Sequence, residues 1–300
     1  MTAAEATDTG RVAIEAVGRV LPGGQVAGEP WKLAGGAMHD SWAVDAEAHG
    51  VRRELVVRVS PAGRADHQKT LREYEVLKVA YARGVLCPEP IAVGECESGE
   101  DYLVMARVTG DTNPRQLITG ERFGEARTHI IRQLAENLAR IHEIQPQDVP
   151  HAPGIAGPEP GEEPLAFQRR AVEATYRLDL LDPHPALEWA FRWLDRQLTS
   201  LPTTGRAPCV VHGDFRIGNM LYDENGLTSV LDWEGTHIGD PEEELAWFCT
   251  RVWRFGNHQA EAGGIAPREE WIRAYEEASG RPVSRERVAA WEVLQNIRWC

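Results

Sequence analysis

An aspartate, Asp214, stands in the run Val210-Val211-His212-Gly213-Asp214-Phe215-Arg216-Ile217-Gly218-Asn219-Met220-Leu221, with an amide, Asn219, five positions on. A second aspartate, Asp232, ends the strand-like stretch Ser229–Leu231 and leads into Trp233-Glu234 and then Gly239-Asp240-Pro241. An acid, an amide five residues later and a further acid at a strand end form the arrangement that phosphoryl transfer needs. Asp214 suits the proton of an attacking hydroxyl. Asn219 offers a neutral oxygen and Asp232 an anionic one to a Mg²⁺ ion bridging nucleotide phosphates. His212 is expected to organise the loop by hydrogen bonding. Asp240, before Pro241, is expected to cap a helix, and the acidic run Glu242-Glu243-Glu244 to form its solvated first turn. For Glu234, a metal contact and a structural hydrogen bond stand equal.

These groups need elements to hold them. Hydrophobic periodicity predicts a helix over Arg11–Leu21, strands at Trp31–Ala34, Ser41–Ala46 and Arg53–Val59, and a long helix over Asp66–Arg83 ended by Pro88 and Pro90. Two more strands follow, at Ile91–Glu95 and Tyr102–Val108. Beyond residue 110 the pattern is mostly helical: Arg122–Ile144, Leu165–Leu181, Ala186–Leu198, Glu242–Arg254, Arg268–Ser279 and Arg285–Trp299. Short strands are expected at Cys209–Val211, Met220–Tyr222 and Ser229–Leu231. Pro146–Pro164, with its many prolines and glycines, reads as a loop. The expected fold class is therefore α+β, with a five-stranded antiparallel N-terminal lobe (1–107) and a mainly helical C-terminal lobe (108–300).

Composition narrows the function. With 46 acidic against 32 basic residues the formal net charge is −14, which disfavours a nucleic-acid partner and suits a cationic or neutral small molecule better. No apolar run is long enough for a membrane span, and Met1–Gly10 has no signal-peptide core. The five widely spaced cysteines suit reduced thiols in a cytoplasmic protein. The helical pattern that runs up to Cys300 suggests a further segment beyond it. Oligomeric state is not readable.

The His-Gly-Asp-x-x-x-x-Asn loop, with Leu231-Asp232-Trp233-Glu234 and Gly239-Asp240-Pro241, resembles the aminoglycoside phosphotransferase family, kinase-like small-molecule phosphotransferases related to choline and homoserine kinases. The resemblance implies a protein-kinase-like bilobal fold that binds ATP or GTP between its lobes and moves the γ-phosphoryl group to a hydroxyl of a small molecule. It implies Asp214 as catalytic base, Asn219 and Asp232 as Mg²⁺ ligands, and Arg216 as a contact to the transferring phosphoryl group. Gly35 and Gly36 match the turn over the nucleotide phosphates, and Glu73 the helix glutamate that pairs with a strand cation. Met105 matches the residue behind adenine, with main-chain Ala106 and Val108 at its edge. The strand cation of such enzymes is normally a lysine. This chain has only Lys32, Lys69 and Lys78, none of them in Leu55–Val59, which makes Arg58 the candidate. Two alternatives are a metal-dependent phosphoester hydrolase built on His212, Asp214, Asp232, His237 and Asp240, and a nucleotide-binding module without catalysis.

Overall fold

The computed structural model describes residues 3–34, 39–179, 184–201 and 207–300. Gly35 and Gly36 lie outside the described residues. The chain divides into two compact units, Met1–Thr109 with Val149–Gly154, and Gly110–Asp148 with Ile155–Cys300.

The first unit opens with α1 (Ala3–Val20), followed by β1 (Gln25–Val26), β2 (Trp31–Lys32), β3 (Asp40–Ala48), β4 (Val51–Ser60), α2 (His67–Ala82), β5 (Pro90–Glu95) and β6 (Asp101–Ala106). The strands form one antiparallel sheet in the order β1-β3-β4-β6-β5, with β2 also paired to β3. Six strands stand among the described residues where five were expected. The addition is the two-residue β1, too short to show an alternating pattern and formed by pairing with Ala46 and Glu47.

Alternation along β4 decides what each face of the sheet carries. Leu55, Val57 and Val59 point into a core completed by Val12, Ala13, Ala16 and Val17 of α1. Arg58 therefore points to the opposite face, where α2 lies against β5 and β6. Asp66 caps α2, its side chain accepting from the Lys69 N–H at 3.1 Å. The helix stops at Arg83 and Gly84 (φ 75°), before the prolines that were expected to end it. The segment Val149–Gly154 belongs to this unit through Arg72, which donates to the carbonyls of Pro153 and Gly154.

The second unit contains α3 (Pro114–Thr119), α4 (Gly124–Arg127), α5 (Ile130–His142), α6 (Pro164–Asp179), α7 (Pro185–Leu198), β7 (Cys209–Val211), β8 (Met220–Asp223), β9 (Gly226–Val230), β10 (His237–Gly239), α8 (Pro241–Cys249), α9 (Arg268–Ser279) and α10 (Arg285–Trp299). The helix expected over Arg122–Ile144 is broken at Thr128 and His129. The one expected over Glu242–Arg254 breaks at Thr250, whose extended backbone separates α8 from a 3₁₀ turn at Arg251–Arg254. Two small antiparallel ladders, β7 with β10 and β8 with β9, flank the loop of interest. Every residue of α8 is buried, with α9 and α10 packed against it. Among the described residues, no helix is long and apolar enough to cross a membrane.

Candidate active site

The loop from His212 to Asn219 joins β7 to β8, and His212 pins it internally. The backbone N–H of Asp214 donates to His212 Nδ1 at 3.2 Å, so that nitrogen is an acceptor. The other, Nε2, donates to the carbonyl of Leu231 at 3.0 Å. Both ring nitrogens are thus committed and the ring packs 4.8 Å from Trp233. Gly213, at φ 83°, permits the turn. A Cβ there would sit 2.0 Å from the carbonyl oxygen of Gly235, a clash that no rotamer relieves.

Asp214 is half-buried, and its carboxylate takes four hydrogen-bond contacts. Asn219 Nδ2 donates to Oδ2 at 2.6 Å and also to the Asp214 carbonyl at 3.0 Å. Arg216 Nε is shared between Oδ1 and Oδ2 at 3.1 and 3.0 Å. Trp247 Nε1 donates to Oδ1 at 2.8 Å. The Asn219 amide nitrogen faces Asp214, which leaves the amide oxygen as its ligand atom, on a residue that is 6% exposed. Asp232 follows Leu231, whose N–H donates to the Asn219 carbonyl at 2.8 Å. Its backbone is left-handed (φ 66°, ψ 64°) and its side chain is exposed. A non-glycine residue costs about 1–2 kcal/mol in that region. An amide oxygen and an exposed carboxylate, on residues linked through the Asn219–Leu231 bond, are the kind of hard oxygen donor that a magnesium ion takes.

The acidic run is not solvated. Glu242, Glu243 and Glu244 are 0–2% exposed, because α9 and α10 cover the helix they begin. Glu244 accepts the backbone N–H groups of His212 at 2.8 Å and Gly213 at 2.9 Å, and His142 Nε2 donates to it at 3.0 Å. Burial alone would raise its pKa, but His142 and the loop amides outweigh burial and hold it below the usual carboxylate range. His142, on α5, is packed, with Nδ1 2.8 Å from the Tyr275 hydroxyl. Glu243 meets His237 at 3.2 Å. Asp240 sits at the N-cap position of α8, yet its carboxylate accepts from Arg287 rather than capping the helix. Sequence reasoning missed Glu244, Trp247 and Arg287; nothing local marks them, since each works through a partner far along the chain.

These contacts overturn the hydrolase alternative. His212 has both ring nitrogens committed, His237 Nδ1 and Nε2 face the Gly235 carbonyl and Glu243, and Asp240 is neutralised by Arg287. No imidazole is left there to ligate a metal pair.

In the first unit, Arg58 forms a bidentate pair with Glu73, Nη1 lying 2.6 Å from Oε1 and Nη2 meeting Oε2. Glu73 is buried and Arg58 nearly so. Lys32 pairs with Asp40, and Lys78 with Glu75. Met105 and Ala106 end β6, with Val108 just beyond. The Ala106 N–H is taken by the Glu89 carbonyl at 2.9 Å.

Residues 32–291 match the phosphotransferase enzyme family, and the chain belongs to it. Acyl-CoA dehydrogenase family member 11 of Rattus norvegicus is 30% identical over 73% of this chain, which spans only 29% of that protein's length. Viomycin phosphotransferase of Streptomyces vinaceus is 30% identical over 61% of this chain and 60% of its own. Among solved structures, a Ralstonia eutropha protein assigned as an aminoglycoside phosphotransferase superposes with a TM-score of 0.70 at 22% identity, covering 95% of this chain and 85% of that one. The GDP complex of aminoglycoside 2'-phosphotransferase-IIIa gives 0.68 at 14% identity, covering 98% and 88%. The fold is that of aminoglycoside phosphotransferases.

Proposed function

We propose that the protein transfers the γ-phosphoryl group of ATP or GTP to a hydroxyl of a small molecule. The observation that carries this is the joint geometry of the loop, in which the Asn219 amide nitrogen holds Asp214 at 2.6 Å and the exposed Asp232 is tied beside Asn219 through the Leu231–Asn219 backbone bond. Unit one, residues 1–107 in the main, supplies nucleotide contacts: Arg58, held by Glu73, meets phosphate oxygens, and Met105, the Ala106 carbonyl and Val108 meet the base; Gly35 and Gly36 keep the phosphate-covering role that the resemblance implies. With its N–H already committed, Ala106 has only its carbonyl for that edge. Residues 108–300, in the main, supply catalysis.

Asn219 and Asp232 would hold Mg²⁺, which would supply charge neutralisation to the nucleotide phosphates. Asp214 orients the acceptor hydroxyl and takes its proton as the oxygen bonds to the γ-phosphorus and the bond to the β-phosphate oxygen breaks, releasing ADP or GDP. Its carboxylate is saturated until Arg216 lets go. This single Nε–H, shared between both oxygens at 3.1 and 3.0 Å on a partly exposed side chain, is the contact that yields, moving to the phosphoryl oxygens and freeing a lone pair for the hydroxyl. Four buried unpaired cysteines among the described residues suit a cytoplasmic setting.

The relatives' names extend the acceptors worth testing from antibiotics, amino alcohols, sugars and hydroxy acids to hydroxylated acyl-CoA compounds. Acceptor-dependent ADP or GDP formation across such a panel, lost in Asp214→Asn, supports the proposal. Nucleotide bound without turnover on any acceptor supports the non-catalytic module instead.

A further inference from the structure

An aromatic cluster is fastened directly to the proposed base. Trp247, which donates to Asp214, meets Trp253 edge-on at 5.3 Å, and Trp299 packs on both, at 4.7 Å from Trp253 and 6.4 Å from Trp247. Two guanidinium groups lie on these rings: Arg216 over Trp253 at 4.5 Å and Arg298 over Trp247 at 5.2 Å. Arg298 also donates to the Gly213 carbonyl at 3.3 Å, beside Asp214. Arg216 is balanced by Asp214, whereas Arg298 has no carboxylate partner among the described residues. Trp253 is 5% exposed, and its indole N–H has no hydrogen-bond acceptor among the described residues. A buried donor without an acceptor is uncommon and costly. Its unmet need is an oxygen.

From these observations we infer that this cluster is the acceptor subsite and that it selects a hydroxyl compound carrying a negative charge, a carboxylate or a phosphate ester, rather than a polycationic antibiotic. The inference rests on the phosphotransferase proposal above. The whole chain is acidic, and Glu244 lies against the loop, but that carboxylate is committed to His142 and the loop amides. The cluster itself offers a cation without a carboxylate partner among the described residues and an indole donor without an acceptor among them. A cluster of edge-packed indoles with guanidinium groups over its rings attracts an anion bearing an apolar body. It repels an acceptor with several ammonium groups.

The test compares matched acceptors with wild-type protein and saturating Mg-ATP: a graded series of hydroxyalkanoates, the corresponding hydroxyalkanamides, hydroxyalkyl phosphates, and kanamycin. ADP formation is expected to favour the carboxylate or phosphate compounds over the amides by at least about tenfold in kcat/KM, with kanamycin inactive. Arg298→Glu is expected to collapse that acid-to-amide ratio at least about tenfold through KM, and Arg298→Lys to keep most of it. Preference for kanamycin or the amides, or an Arg298→Glu loss equal for acid and amide, overturns this inference and leaves the phosphotransferase proposal standing. Bound nucleotide with no turnover on any acceptor overturns both.

Discussion

The carboxylate of Glu244, on α8, takes the backbone N–H of His212 at 2.8 Å and so holds the turn that presents Asp214. A buried acid thereby does for the catalytic loop what a capping side chain does for a helix: it satisfies donors that the turn leaves exposed. Replacing it should cost both stability and rate. Glu244→Ala leaves two loop amides and His142 without their acceptor, and should lower unfolding free energy by about 3–5 kcal/mol. Glu244→Gln keeps the shape and should lose less. Urea denaturation read alongside kcat checks this. A fully stable Glu244→Ala variant would refute the role.

Asp214→Ala should lower kcat about 10²–10⁴-fold while nucleotide still binds. Asp232→Ala should instead weaken nucleotide binding only when magnesium is present. Calorimetry with and without the metal separates the two. Near-wild-type turnover in Asp214→Ala would sink the assignment of the base.

Arg58 and Glu73 form a nearly buried pair, so removing either strands the other. Arg58→Ala and Glu73→Ala should each raise the nucleotide KM, by about tenfold or more, with small effect on the acceptor KM. Arg58→Lys should recover much of the loss and shows whether arginine here replaces the usual lysine in kind. Steady-state kinetics with nucleotide varied reads the effect.

Gly213→Ala should inactivate the protein. The backbone there is left-handed and a Cβ meets the Gly235 carbonyl at 2.0 Å, so about 3 kcal/mol or more of stability should go with it. Ala at Gly63, where a Cβ meets nothing within 4 Å, serves as the control in thermal melts.

Stability should fall on both sides of neutrality, from opposite shifts. Glu244 has a depressed pKa, so its contribution is complete above its ordinary value of 4.5 and is lost as pH drops through the lower folded value. His237 has a raised pKa: burial opposes its charge, but Glu243 outweighs burial. Its contribution is complete below 6.5 and fades as pH climbs through the higher folded value. Melting temperature against pH should show the acid limb flattened in Glu244→Gln and the alkaline limb flattened in His237→Gln.

Much of this was legible along the chain, because spacing alone carries it. The interval from Asp214 to Asn219 and the strand before Asp232 are local, and the apolar period of β4 puts Arg58 on the face away from Leu55, Val57 and Val59. Helices α9 and α10 lie where their periodicity and flanking glycine and serine place them. What packing alone decided is what lies across from these groups. Glu242-Glu243-Glu244 carries the local signature of a solvated helix start, and only the burial of α8 beneath α9 and α10 turns those acids inward to the loop amides, His142 and His237. Asp240 had the position of a cap and found Arg287 instead. Trp247 carries no mark of its contact with Asp214. Partners far apart in sequence leave no periodic trace, and a charge's meaning depends on whether water or another side chain faces it, which only the folded chain determines.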